Sequence, residues 1–172
     1  MSMMKTLERS QAGSVLLEAL IGILIFSLGI LSMVALGATA VNVQADAQYR
    51  TEAMNLAERI LSQIWTGVDR TQETINGVVM SVVSASSLNN YQHFSNGDNC
   101  VFTGSASTMP AVVDWVATLM PTDKPSPLPG STAGRQQIKV VPANNNQVSI
   151  TICWQTPSDN KVRHYTLVSY VN

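Results

Sequence analysis

Charged side chains are scarce in this 172-residue chain. Lys and Arg total 10 and Asp and Glu total 11, so they form 12% of the residues, against about 25% in ordinary globular chains. The net charge is −1, so the sequence lacks the basic excess that a nucleic-acid-binding surface requires. The length allows one domain with an appendage. The composition excludes a collagen, an acidic disordered chain and a multi-pass membrane protein.

Motifs for catalysis and for cofactor or metal binding are also missing. The sequence has no glycine-rich phosphate loop, and no cluster of His, Cys or carboxylate residues has the spacing of a metal site. The residues with suitable chemistry are scattered and related by no motif: Cys100, Cys153, His93, His164 and Asp114. We therefore expect no enzymatic activity and no cofactor.

Hydrophobicity is concentrated near the N-terminus. No charged residue occurs between Glu18 and Asp46, and residues 19–41 form a stretch of 23 mostly apolar residues. As a helix this stretch is roughly 35 Å long, which is enough to cross a hydrocarbon core of about 30 Å. Lys5 and Arg9 precede it and favour a cytoplasmic N-terminus. The sequence therefore predicts a single membrane-spanning helix.

The helical pattern continues beyond the apolar stretch. Apolar residues recur on one helix face at Ala53, Ala57, Ile60, Leu61 and Ile64. Gly67 is typical of a helix end. We predict one helix from about Ser14 to Ile64, whose second half packs on a globular head. Three glycines inside its first half indicate close helix contacts or local unwinding, or only the general frequency of glycine in membrane helices.

The start of the apolar helix carries the most specific motif. Gly13-Ser14-Val15-Leu16-Leu17-Glu18 follows a short leader that contains Lys5 and Arg9. This arrangement resembles the prepilin signal shared by type IV pilins and type II secretion pseudopilins. The resemblance implies that prepilin peptidase cuts between Gly13 and Ser14, that Ser14 becomes an N-methylated N-terminus, and that Glu18 is the carboxylate needed for subunit assembly. Ser14 departs from the family, which most often has phenylalanine there; this departure bears on methylation and not on cleavage.

An ordinary secretory signal peptide is the alternative interpretation of the same stretch. Ala38-Thr39-Ala40 is a small-x-small triplet after an apolar run, and cleavage behind it would release a periplasmic domain. The apolar run is longer than the usual ~7–15 residues, and Glu18 gives its start the wrong charge. The mass of the mature protein distinguishes the two cleavage sites.

The middle of the chain predicts little regular structure. Residues 75–83 favour a short strand, with a second helix as the alternative, and residues 84–99 favour a loop. Thr108 is expected to cap a helix that begins near Pro110 and ends at Met120. One face of this helix is apolar, formed by Val112, Trp115, Val116 and Leu119. Four prolines then break all regularity until Gly134.

The C-terminal third predicts an antiparallel meander. Strands are expected at 136–141, 147–155 and 162–171, joined by turns at 144–146 and 157–161. In the second strand, alternation places one set of side chains on one face: Val148, Ile150, Ile152 and Trp154.

A long N-terminal helix packed on a head with an antiparallel meander is the general plan of a type IV pilin. The segments ITICWQ (150–155) and HYTLVSYVN (164–172) resemble minor pilins of the PilV type, the type IV pilus modification proteins. The expected fold class is therefore α+β and type IV pilin-like. Its parts are a leader peptide (1–13), a long helix with a transmembrane first half (14–65) and a periplasmic head (66–172).

The chain has two cysteines, Cys100 and Cys153. A periplasmic compartment favours a disulfide between them, and pilins commonly close their C-terminal region this way. Strand alternation puts Cys153 on the face opposite Ile152 and Trp154, so the bridge is expected to fix the Cys100 loop to the outer face of the sheet. Two unrelated thiols are the alternative.

These resemblances imply a minor pilin, a structural subunit that primes or joins a type IV pilus. The precursor is expected in the bacterial inner membrane with its head in the periplasm, and the mature subunit in the extracellular filament. The implied partners are other major and minor pilins, prepilin peptidase and the inner-membrane pilus assembly platform. Two alternatives stay open: a minor pseudopilin of a type II secretion system, and a membrane-anchored periplasmic domain that does not polymerise.

Overall fold

The computed structural model describes residues 12–157 and 160–172. Its α-helices are α1 (Ala12–Gly67), α2 (Ala85–Asn89) and α3 (Pro110–Leu119). Its strands are β1 (Arg70–Ile75), β2 (Val78–Val83), β3 (Asn96–Asp98), β4 (Val101–Thr103), β5 (Gln136–Val141), β6 (Gln147–Trp154) and β7 (Arg163–Tyr170). The strands pair antiparallel as β1-β2, β3-β4 and β5-β6-β7. This mixture of helices and antiparallel strands is consistent with the α+β class.

Helix α1 begins two residues before the predicted start and ends three residues after the predicted end. The chain divides into two compact units, one that ends at Asp46 and one that extends from Ala47 to Asn172. In the first unit the described residues are helical throughout. In the second unit, which we call the head, residues 47–67 of α1 supply one wall of the core.

The core of the head is built on the predicted stripe of α1. Ala53, Ala57, Ile60 and Ile64 are buried, as is Leu56, which the stripe did not include. Helix α3 packs against them with Val112, Trp115 and Leu119 buried, as its apolar face predicts. The indole Nε1 of Trp115 donates to the backbone oxygen of Leu56 at 2.9 Å. This bond joins α3 to α1, because a buried indole N–H requires an acceptor.

The C-terminal meander confirms its prediction closely. Strand β6 pairs with β5 from Gln136↔Ile152 to Val141↔Gln147, and with β7 from Gln147↔Tyr170 to Trp154↔Arg163. The alternating set of β6 is buried against the core, as predicted: Val148, Ile150, Ile152 and Trp154. The β5-β6 turn uses Asn145 and Asn146 with positive φ, a conformation that asparagine tolerates well.

The prediction for residues 75–83 was wrong in its boundaries. Asn76 (φ 53°) and Gly77 (φ 79°) form a two-residue turn, so this segment contains the end of β1, the turn and all of β2. Both turn residues need positive φ, which makes Asn-Gly the commonest pair for a tight hairpin. The second helix that we kept as an alternative is absent from this part of the chain. Strand β1 was not predicted because its mostly polar sequence shows no alternation of apolar and polar side chains.

Two local predictions in the following segment were also wrong. The expected loop at 84–99 holds α2, capped by the Ser84 hydroxyl, which accepts from the Ser87 N–H at 3.4 Å, and it also holds β3. Helix α3 begins at Pro110 as predicted, but its N-cap is Met109 instead of Thr108. No side chain caps this helix; the Ser107 hydroxyl accepts at 3.2 Å from the N–H of Met109 itself, just before the helix begins.

Candidate functional site

The prepilin-like motif lies where α1 starts. Gly13, Ser14 and Glu18 are all helical, and the Ser14 and Glu18 side chains are exposed. The four-residue spacing puts Ser14 and Glu18 on one face, one turn apart. Residues 1–11 of the predicted leader lie outside the described residues, so the leader peptide and its cleavage stay predictions.

The uncharged segment after Glu18, residues 19–45, is helical from end to end. It is about 40 Å long. Its large apolar side chains are mostly exposed within the first unit. The least exposed is Ile30, at 48%, and the most exposed is Met33, at 75%. By length and composition, α1 qualifies as a helix that can cross a membrane, and a signal sequence would pass the same test.

Three hydroxyl side chains of this segment bond within the helix. The hydroxyls of Ser27, Ser32 and Thr39 donate to the carbonyl oxygens four residues earlier at 2.7, 2.8 and 3.1 Å. Such bonds remove the need for water as a partner and suit a helix in an apolar environment. The remaining polar residues of the segment, Asn42 and Gln44, lie near its C-terminal end.

The three glycines of the apolar segment do not interrupt the helix. Gly22, Gly29 and Gly37 all have helical backbone, so the local unwinding that we considered is absent. A Cβ atom added at any of them would meet nothing within 4 Å beyond the helix backbone nearby. Close contact with another helix, or the general frequency of glycine in membrane helices, remain as explanations.

The two cysteines of the head form a disulfide, with the sulfur atoms of Cys100 and Cys153 2.05 Å apart. Cys153 is fully buried on the sheet face opposite the main core, as its place in the alternation predicts. Phe102 is buried beside the bridge, and Phe94 and Val162 pack against it. The bridge fixes the β3-β4 hairpin, whose turn residues Asn99 and Cys100 both have positive φ, to the outer face of the sheet.

The structure also gathers a group of cations that the sequence did not predict as a group. A cavity of about 370 Å³ is lined by Arg50 of α1, by Lys161 and Val162 just before β7, and by Arg163 and His164 at the start of β7. We call these five residues the basic concavity. No carboxylate is among the described residues that line it. Arg50 and β7 are more than a hundred residues apart in sequence, so no local pattern signals their proximity.

The residues first considered for catalysis do not form a catalytic set. His164 and Cys100 both line a cavity of about 210 Å³, but the sulfur of Cys100 is committed to the disulfide. Asp114 is exposed on α3. Among the residues that the structure describes, no group of three His, Cys, Asp or Glu side chains is placed to hold a metal ion.

His93 has a structural environment. It is buried at 3% exposure, and its Nδ1 accepts from the Ser107 N–H at 3.2 Å. Its backbone bridges to Ile138 of β5 through two hydrogen bonds of 2.9 and 3.0 Å. Burial lowers the pKa of His93 below its ordinary value, and the nearby backbone of Ala133 opposes this effect. A neutral imidazole that fastens the segment after α2 to the sheet explains these contacts.

Comparison of the chain with protein-family models, with curated proteins and with solved structures finds no match. The residues themselves, above all those at the start of α1, are therefore what points to a function.

Proposed function

We propose that this chain is the precursor of a minor type IV pilin. Prepilin peptidase cuts between Gly13 and Ser14, and the remaining residues 14–172 join or prime a pilus. The observation that carries the proposal is the arrangement at the start of α1. One carboxylate, Glu18, follows Gly13 by five residues and opens a helical segment of 27 residues that has no other charge.

The chemistry of Glu18 supports a role in assembly. The apolar side chains of residues 19–45 are exposed in the first unit, so their stable environment is lipid or other apolar helices. In a bundle of such helices an unpaired carboxylate costs several kcal/mol. Cleavage before Ser14 creates an α-amino group, which is mostly cationic at neutral pH. Pairing of this amine with Glu18 of a neighbouring subunit would neutralise both groups and set the axial register between subunits.

The head supports the same proposal because it has a hydrophobic core of its own. Its core is buried, and its disulfide matches an oxidising compartment such as the periplasm. A stable head on an apolar helix suits a subunit that waits in the inner membrane and then moves into a filament. The partners would be other pilins, prepilin peptidase and the assembly platform.

The test is a comparison of the wild type with Glu18→Ala, Glu18→Gln and Glu18→Asp in cells that assemble pili. All four precursors should be cut before Ser14, which intact-mass measurement of the membrane fraction shows. Glu18→Ala and Glu18→Gln should be lost from sheared pili, because neither retains the charge. Glu18→Asp should retain part of the incorporation. Glu18→Ala in sheared pili at the wild-type level would contradict the assembly role.

The same measurements separate the alternatives. A mature protein that begins after Ala40 would show an ordinary signal peptide. A protein that is cut before Ser14, but is absent from pili and is required for secretion through a type II system, would be a pseudopilin. A protein that stays in the membrane, with neither phenotype on deletion, would be a non-polymerising anchored domain. Loss of surface pili on deletion favours the minor pilin.

A further inference from the structure

We propose that the outer edge of strand β2 pairs with the same edge of a second copy of this chain. Two β1-β2 hairpins would then form one four-stranded antiparallel sheet. The hairpin belongs wholly to the head. Its pairing goes beyond the proposed function, because it uses none of the residues at the start of α1.

The hairpin is exposed on both faces for most of its length. Val78, Val79 and Met80 are 60%, 62% and 51% exposed, and only the end of β2 reaches the core, where Val83 is buried. Among the described residues, β1 and β2 form a sheet of two strands with no third strand beside them. An isolated two-stranded hairpin is marginally stable at best in water, and further strands stabilise it.

The outer edge of β2 carries unpaired backbone groups at Val79 and Ser81. The Ser84 N–H donates to the backbone oxygen of Asp69 at 2.9 Å, so Asp69 and Ser84 form a hydrogen-bonded pair. In an antiparallel ladder such pairs alternate with non-bonded pairs. The even-numbered residues of β2 therefore bond to β1, whereas Val79 and Ser81 direct their N–H and C=O groups away from it. None of the described residues forms a backbone hydrogen bond with these groups.

The lack of charge distinguishes β2 from β1. Strand β1 contains Arg70 and Glu73, whereas β2 has the sequence VVMSVV and no charged residue. Charged side chains protect a free edge against pairing with another strand, so β1 is protected and β2 is not. In the proposed sheet the two copies of β1 are outermost, about 14 Å apart at about 4.8 Å per strand. Their like charges are therefore separated by more than the Debye length of about 8 Å.

The exposed part of β2 is also complementary to itself. If Val79 lies opposite Ser81 of the second copy, the two strands form four backbone hydrogen bonds around a two-fold axis, as a closed dimer requires. This register places Met80 opposite its own copy and Val78 opposite Val82. These apolar side chains share one face of the sheet. A second copy thus satisfies the free backbone groups and covers exposed apolar side chains at once.

The experiment is disulfide cross-linking of cysteine variants of the full chain in detergent micelles. The native cysteines are already paired, so each variant has one free thiol. Met80→Cys should give a covalent dimer on mild oxidation, since Cα atoms of a non-bonded pair are about 4.5 Å apart. Val79→Cys should not, although Val79 is the more exposed, because its own copy is a diagonal neighbour at about 7–8 Å. A mixture of Val79→Cys and Ser81→Cys should cross-link.

Proline variants test the backbone pairing with a matched control. Gln72 and Ser81 lie opposite each other in a non-bonded pair of the hairpin, and both are exposed. Ser81→Pro removes two of the four hydrogen bonds between the copies and should lower cross-linking through Met80→Cys at least about fivefold. Gln72→Pro makes the same change on the outer edge of β1 and should leave the cross-linking unchanged.

A charge variant opposes the dimer while it favours the hairpin. Met80→Lys faces Glu73 within the hairpin, which is an attractive pair, but it faces a second lysine across the two-fold axis. Cross-linking of the Val79→Cys and Ser81→Cys mixture should be lost in this background and should return in part at high salt. Unchanged cross-linking at low salt would contradict the proposed register.

The remaining outcomes decide what occupies the edge. Equal cross-linking of Met80→Cys and Val79→Cys would show random collision or association through the apolar segment, and would overturn the proposal. Equal loss in the two proline variants would also overturn it, as would a product with a different protein in place of the dimer in cells. Met80→Cys with Glu18→Ala should cross-link as Met80→Cys alone does. A failure of the proposed assembly role is thus distinguishable from a failure of the hairpins to pair.

Discussion

The apolar half of α1 and the head use hydrophobic side chains in opposite ways. Between Val15 and Val43 the large apolar side chains are about half to three-quarters exposed within their unit. In the head, residues such as Ile60, Ile150 and Trp154 are completely buried. The head carries its own stabilising contacts, whereas the apolar half takes its stability from whatever surrounds it. The same substitution should therefore have different consequences in the two regions.

Loss of the disulfide should produce the largest change in the head. Replacing both cysteines, as Cys100→Ala with Cys153→Ala, removes a link between residues 53 apart in sequence. The chain-entropy estimate for a loop of this size is roughly 4 kcal/mol of unfolding free energy. Urea unfolding followed by the fluorescence of the buried Trp115 and Trp154 measures it.

The control for this prediction is the reducing agent. Reduction should destabilise the wild-type head by a similar amount and leave the double alanine variant unchanged. Vesicle flotation of the full chain should be the same for both, because the apolar half does not depend on the disulfide. A double variant as stable as the oxidised wild type would show that the bridge adds nothing to the head.

Truncation of one isoleucine in each region tests the comparison directly. Ile60 is fully buried and Ile25 is 63% exposed within its unit, although both lie on α1. Ile60→Ala should lower the unfolding free energy of the head by about 2–5 kcal/mol, the usual cost of a core cavity. Ile25→Ala should change it by less than about 0.5 kcal/mol. Equal effects in urea unfolding would mean that the two regions unfold as one unit, and would break the distinction.

The elements that could be predicted from the sequence are those in which apolar residues recur with a regular period. The apolar segment, the α1 stripe and β5-β7 were predictable because each has a local period, 3.6 for the helix and 2 for the strands. Cys153 could be placed on the outer face by alternation alone. Strand β1 was missed because Arg70–Ile75 is mostly polar and exposed, so no buried face imposes a pattern on it. Only the Asn76-Gly77 turn signalled the hairpin.

The two candidate sites differ in how far apart their residues lie in the sequence. Gly13, Ser14 and Glu18 are close in sequence, so a linear motif identified them. The basic concavity joins Arg50 to residues at the start of β7, and only the packing of the head brings them together. The N-cap of α3 shows the limit of local rules: Thr108 is a favourable cap residue in sequence, but the N-cap is Met109, whose side chain makes no capping hydrogen bond.

Glycine-to-alanine substitutions at two positions of α1 compare the head with the apolar half by adding one methyl group to each. A Cβ at Gly67 would contact the hydroxyl of Tyr91, which is 2% exposed and so has little room to move. Gly67→Ala should destabilise the head by up to about 2 kcal/mol, because overpacking costs about 1–3 kcal/mol and the better helix propensity of alanine returns about 1 kcal/mol. Gly22→Ala meets open space and should leave head unfolding unchanged.

A rescue experiment assigns the Gly67 effect to that contact. Tyr91→Phe removes the hydroxyl, and the nearest remaining ring atom would lie 3.7 Å from the added Cβ, an ordinary contact. The double variant Gly67→Ala with Tyr91→Phe should therefore be more stable than the sum of the two single changes predicts. Strict additivity in urea unfolding would show that the hydroxyl is not the obstacle.

Acidification should lower the stability of the head by a small amount that His93 controls. Burial lowers the pKa of His93 below its ordinary value of 6.5, so as the pH falls below that value the unfolded chain binds a proton before the folded head does. The contribution of neutral His93 to the unfolding free energy is therefore fully present above pH 6.5. It is lost as the pH falls towards the lower pKa that His93 has in the folded head. The melting temperature of the head should therefore decrease between pH 7.5 and pH 5.5.

His93→Asn, which keeps an acceptor near the Ser107 N–H, should be less stable at neutral pH but lose most of this dependence. His164→Asn, a change on the exposed face of β7, should retain the dependence, and loss of it in that variant would assign the proton to the basic concavity instead of the core.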